Sequence, residues 1–138
     1  MFNRKDSTSS KSPAALALLS AGVLGVCLLA ATALAQGGTS TKTGAFTTEQ
    51  AARGKLVYEK SCSNCHQPDF YTEKLAMYQG KTVAKFFETV STTMPADNVG
   101  SLLTSEYLDV LSYIFSITGS PPGKAELTTD NMEAIKID

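Results

Sequence analysis

The 138-residue sequence has one histidine, His66, no tryptophan and three cysteines. Each scarcity removes a class of function. A tetrahedral zinc site needs four nitrogen or sulfur ligands, and past Cys65 the chain has only His66 to offer. No distal histidine accompanies an arginine, as peroxide chemistry at a metal would want. Charge of either sign is nearly balanced, with Lys+Arg at 12 against Asp+Glu at 13 and no basic patch, so nucleic-acid binding is not indicated. No segment alternates with strand period over a convincing length, which leaves an all-α chain with long loops.

The first 35 residues read as an export signal. Arg4, Lys5 and Lys11 form a basic start, Pro13 to Ala33 is almost wholly apolar, and Ala33-Leu34-Ala35 supplies the small-x-small cleavage pattern. Retention as a membrane anchor is the competing expectation, because an apolar run of about 20 residues can span a bilayer. The polar Gln36-Gly37-Gly38-Thr39-Ser40 that follows lacks a stop-transfer flank and favours cleavage before Gln36. Cys27 lies inside the run behind the bulky Val26, which disfavours lipid attachment. Removing residues 1–35 leaves nine basic and twelve acidic residues in one small domain, and only Cys62 and Cys65 as cysteines.

Those two cysteines belong to Cys62-Ser63-Asn64-Cys65-His66, the spacing by which a c-type haem is attached. At i and i+3 of a helical turn both sulfurs lie on one side, within reach of the two vinyl groups of one porphyrin. The next residue then offers an imidazole to the iron as proximal ligand. A redox dithiol would not need the histidine, and no βαβ pattern surrounds the motif. Export agrees with the haem, because thioether attachment to such motifs takes place outside the cytoplasm. With no disulfide available, the porphyrin is expected to form much of the core.

The remaining chain divides by its punctuation. Residues 36–45 form a polar, flexible linker ahead of a domain over 46–119, and 120–138 is a C-terminal tail. A first helix starts near Thr47 or Thr48, with Thr47 and Gln50 spaced for a capping box and Phe46 in the staple position, and it runs to about Lys60. Gly54 in mid-helix costs about 1 kcal/mol relative to alanine. It marks either an exposed site or the close approach of another helix. Gln67-Pro68-Asp69-Phe70 breaks the turn after His66, and Tyr71 to Gly80 reads as a short helix or a loop. Thr82 caps a helix over about 82–91 that carries Val83, Phe86, Phe87 and Val90. Pro95 forces Met94 out of the helical region and opens a loop. Thr104 or Ser105 caps the last helix, whose stripe is Tyr107, Leu108, Leu111, Ile114 and Phe115, and Gly119 stops it before Pro121-Pro122.

A single histidine excludes bis-histidine ligation within one chain. The sixth position then falls to methionine, lysine, a weak ligand or nothing. Met77 is close behind His66 and would need a tight wrap, Met132 lies in the tail, and Met94 sits in a loop where a thioether can be presented to the far face.

The ordered set of Gly54 and Tyr58, Cys62-x-x-Cys65-His66, Met94-Pro95-Ala96 and Tyr107-Leu108-Asp109-Val110 to Tyr113-Ile114 resembles a class I c-type cytochrome over roughly 46–119. The stretch from Lys81 to Ile114 is similar to the small cytochrome domains that serve periplasmic quinoprotein dehydrogenases. The resemblance implies a small cytochrome c fold of three to five helices around one covalent haem c. It implies Cys62 and Cys65 as attachment points, His66 as proximal and Met94 as distal ligand, and Gly54 crossing near Tyr113. It further implies a tail with a short helix and an extended end packed on the domain.

The function that follows is one-electron transport in the periplasm, not enzymatic turnover. A dehydrogenase would be the donor and an oxidase or another cytochrome the acceptor, with membrane association only if the N-terminal segment is retained. A dedicated subunit of a quinoprotein dehydrogenase is the alternative, and a haem enzyme or gas sensor with a labile sixth ligand is a further one. An acceptor for the second ring nitrogen of His66 is expected. Tyr71, Tyr78, Lys81 and Asn98 are candidates for the haem propionates.

Overall fold

The computed structural model describes residues 39–138, so the expected signal peptide and Cys27 lie outside the described residues. These residues are all-α, with α1 (Thr48–Ser61), α2 (Pro68–Ala76), α3 (Val83–Thr93) and α4 (Thr104–Ile117), preceded by a 3-10 turn at Thr41–Thr43. Among them there is no β-strand, and no helix is long and apolar enough to cross a membrane.

Local chemistry sets most helix ends. The Thr47 hydroxyl accepts from the Gln50 amide at 3.1 Å, and that of Thr82 accepts from the Lys85 amide at 3.3 Å. Pro68 does not merely break the preceding turn. It occupies the first turn of α2, where its fixed φ suits the helix and its missing N–H is no loss. α4 begins one residue earlier than its hydroxyls suggest. Leu103 is the N-cap and has no side-chain acceptor; the Glu106 carboxylate accepts the Leu103 N–H at 2.8 Å, the half of a capping box that the N3 residue supplies. At the far end Gly119 has φ +87°, and the Gly119 and Ser120 amides donate to Ser116 and Phe115 at 3.2 and 2.9 Å. That paired closure is a Schellman stop.

The most extensive pairing of elements is α1 with α4. It is close enough that a Cβ on Gly54 would stand 1.8 Å from the Asp109 carbonyl oxygen and 3.0 Å from Tyr113 Cβ. Gly54 therefore marks a helix crossing. Beside it, Arg53 grips Asp109 through Nε and Nη2, both at 3.0 Å, and reaches Glu126 of the tail at 2.9 Å. Both acidic partners raise the Arg53 pKa, that of Asp109 most.

Side chains from the helices and from the tail build an apolar core. Phe46 and Phe115 stack at 6.5 Å, and Phe86, Leu111, Leu127, Ile135 and Ile137 are buried with them. The last three come from the tail, so the core does not end at residue 119. The tail docks in extended and turn conformation, without the short helix expected of it. Gln50 is the latch. Its buried amide donates to the Leu127 carbonyl at 2.8 Å and its oxygen accepts the Leu127 N–H at 2.7 Å. It thus serves a partner 77 residues away instead of closing a capping box.

The polar lead-in is also tied down over its described part. The Thr41 amide donates to Lys136 at 2.8 Å, and the Lys136 amide donates to Thr39 at 3.0 Å. Thr41 is buried, which differs from the flexible linker read from composition. Short polar residues become ordered where an extended neighbouring segment supplies backbone partners, here the chain around Lys136.

Candidate haem pocket

α1 ends at Ser61, and the cysteine motif continues its curl. The carbonyl of Cys62 accepts from the Cys65 and His66 amides at 3.1 and 2.9 Å. This one tight turn carries two free thiols and the imidazole. Cys62 is half-buried and Cys65 exposed. Burial pushes the Cys62 thiol pKa above its ordinary value. The turn is braced from α1, where the Tyr58 hydroxyl donates to the His66 carbonyl. Among the described residues no group of three or more His, Cys, Asp or Glu side chains gathers as a metal-ion set.

The His66 ring lies against aromatic neighbours from α2. It stacks on Phe70, with centroids 4.4 Å apart and planes at 23°, and meets the edge of Tyr71 at 5.9 Å. The expected acceptor for its second nitrogen is not among its hydrogen bonds to the described residues, and packing orients the ring instead. Tyr71 is buried, and desolvation, with smaller contributions from Cys62 and Tyr58, drives its phenol pKa well above the ordinary tyrosine range.

Met94 is the C-cap of α3, in extended backbone with φ −128° and ψ 154°, as a residue before proline must be. Its N–H still donates to Val90, while its carbonyl accepts the Tyr107 hydroxyl of α4 at 2.7 Å. Cys62, Cys65, His66 and Met94 all line one cavity of about 550 Å³. That size falls in the roughly 300–1,000 Å³ range of small-molecule and cofactor sites. Phe86 and Val90 from α3 and Val110 and Ile114 from α4 form an apolar part of its wall, and Thr89, Asp97 and Asn98 are among the polar residues that line the rest. The other methionines are elsewhere. Met77 is 65 % exposed beyond α2, and Met132 packs on the core from within the tail.

Of the propionate candidates, Tyr71 and Asn98 line the cavity. Tyr78 instead donates to Thr89 at 2.8 Å, and the Lys81 ammonium sits over the Tyr78 ring at 5.0 Å. Lys60 and Lys74 line the cavity too, and sequence reasoning passed over them, since isolated lysines on helices carry no signal of what they face. The residues present fit a haem: two thiols on one turn, a single imidazole, one thioether and an apolar stretch of wall converge on a space of cofactor size. No protein-family model, curated protein or solved structure matches this chain.

Proposed function

We propose that this cavity is the pocket of one haem c and that the protein is a one-electron carrier. The observation that carries the reading is convergence: Cys62, Cys65 and His66 from one turn and Met94 from a separate loop line the same cavity, while Met77 and Met132 do not. In this reading Cys62 and Cys65 hold the group covalently, with His66 as proximal and Met94 as distal ligand. When bound, the haem supplies an Fe(III)/Fe(II) couple, and a neutral thioether on it favours the ferrous form.

The chain's own residues do the rest. Phe86, Val90, Val110 and Ile114 exclude water, which with Met94 raises the potential. Phe70 and Tyr71 fix the plane of the imidazole. Lys60, Lys74, Tyr71 and Asn98 supply donors for carboxylates within the cavity. Supported by the ordered motifs, the fold is a small class I cytochrome c, similar to those serving periplasmic quinoprotein dehydrogenases. Exported by its N-terminal segment, it would take electrons from a dehydrogenase and pass them to an oxidase or another cytochrome through weak, transient encounters.

The test is covalent haem. Produced with export and thioether-forming machinery, the protein should keep a haem-stained band through denaturing electrophoresis, and Cys62→Ser/Cys65→Ser should lose it. A wild-type protein without bound haem under those conditions would reject the reading.

A further inference from the structure

Two tyrosines outside the ligand set hold matching places on the two crossing helices. Tyr58 of α1 donates its phenol to the backbone carbonyl of His66, and Tyr107 of α4 donates to that of Met94. Both rings are buried and pinned: Tyr58 between Tyr71 at 6.0 Å and Tyr113 at 5.1 Å, Tyr107 edge-on to Phe87 at 6.1 Å. A packed tyrosine presents its hydroxyl at a fixed reach from its helix. The helices themselves cannot slide, because Gly54 abuts the Asp109 carbonyl and Arg53 grips the Asp109 carboxylate.

We propose that Tyr58 and Tyr107 are positioning residues, a pair of struts that carry the fixed α1–α4 crossing to the backbones of His66 and Met94 and so set the separation of imidazole and thioether across the cavity. The proposal rests on the haem reading and deepens it, since it assigns control of the sixth position to a residue that touches neither iron nor porphyrin. The two struts are unequal. Both backbones are tied by their own N–H, His66 to Cys62 and Met94 to Val90, each at 2.9 Å, but the His66 ring is also held between Phe70 and Tyr71. The loop from Met94 to Leu102 has internal turns at Pro95–Asn98 and Asn98–Ser101. Among the described residues, the Tyr107 phenol is the only hydrogen bond from that loop to α4. Tyr107 is therefore the strut on which closure of the distal side depends.

The experiment uses the holoprotein and its Tyr107→Phe, Tyr58→Phe, Ser112→Ala and Met94→Ala variants. Ser112→Ala removes a buried hydrogen bond to Leu108, 2.8 Å long and confined to α4, and serves as the control. Carbon monoxide affinity of the reduced protein reports how often the distal side opens, because apparent affinity scales with the competent fraction. The oxidised methionine-to-iron charge-transfer band is followed against pH, and melting is recorded alongside. Tyr107→Phe should retain the band at neutral pH, raise carbon monoxide affinity about tenfold and lower the pH at which the band is lost. Tyr58→Phe should move both readouts less, and Ser112→Ala, which alters α4 without touching either carbonyl, should move neither. Wild-type ligand behaviour in Tyr107→Phe, or an equal shift in Ser112→Ala, would overturn the proposal. An unchanged spectrum in Met94→Ala would instead remove the ligand reading beneath it.

Discussion

Gly54→Ala adds one methyl group at the tightest point of the α1–α4 crossing, and two effects of opposite sign compete. Helix propensity favours alanine by about 1 kcal/mol. Against it, the new Cβ would stand 1.8 Å from the Asp109 carbonyl oxygen and 2.4 Å from its carbonyl carbon. The obstacle is helix backbone, so no rotamer change relieves it. Restoring van der Waals contact requires the helices to part locally by about 1.6 Å, and a gap of that order forfeits most of the attraction of every pair it separates. Overpacking of this kind costs about 1–3 kcal/mol. Disengaging the partly solvated Arg53 from the buried Asp109 adds about 1–2 kcal/mol, discounted for the exposure of Arg53. The net expectation is a loss of about 1–4 kcal/mol, which for a domain of about 100 residues lowers Tm by roughly 5–30 °C. Thermal unfolding followed by helical circular dichroism reads this directly. An unchanged or raised Tm would mean that propensity wins, that the helices repack freely, and that the crossing is no fixed frame for anything attached to it.

Gln50→Ala should strip both partners from the Leu127 backbone, cost about 2–4 kcal/mol and expose the tail beyond Pro122 to limited proteolysis; unchanged protection would mean that other contacts hold the tail. Arg53→Leu should cost about 1–2 kcal/mol by leaving the buried Asp109 carboxylate without its bidentate partner, measured as a shift in denaturant midpoint, and no shift would mean that water already satisfies Asp109. Burial raises the phenol pKa values of Tyr58 and Tyr71 above the ordinary 10.0, so their contribution to stability is complete below about pH 10 and is lost as pH climbs through the folded values. Stability should therefore fall above pH 10 with a slope of up to about 1.4 kcal/mol per pH unit for each phenol. Tyr71→Phe should flatten that fall, and an identical alkaline profile would place the titration elsewhere.

What could be read from the sequence was what neighbouring residues decide. Thr47 and Thr82 cap their helices, Gly119 closes α4, Pro95 holds Met94 extended, and the cysteine motif curls into one turn, because each depends on partners within a few positions. Partners distant in sequence left no such trace. Gln50 was assigned to a local box but serves Leu127, and the described part of the polar lead-in is ordered by the far end of the chain. α4 takes Leu103 as its N-cap and not the adjacent hydroxyl residues Thr104 or Ser105, and Glu106 accepts the Leu103 N–H from three residues ahead. Within the site, a thiol pair and a lone histidine announce themselves, whereas Tyr58 and Tyr107 read as ordinary aromatic stripe residues. Their hydroxyls acquire meaning only once the carbonyls they meet are located.

The central claim is that His66 and Met94 close one covalently bound haem from two sides. Visible spectra of the purified protein, oxidised and reduced, with and without carbon monoxide, test it most directly. The account predicts a weak methionine-to-iron band at the red end when oxidised, its loss in Met94→Ala with haem still attached, and little carbon monoxide shift when reduced. Ready carbon monoxide binding by the wild type, or a spectrum indifferent to Met94→Ala, would contradict it.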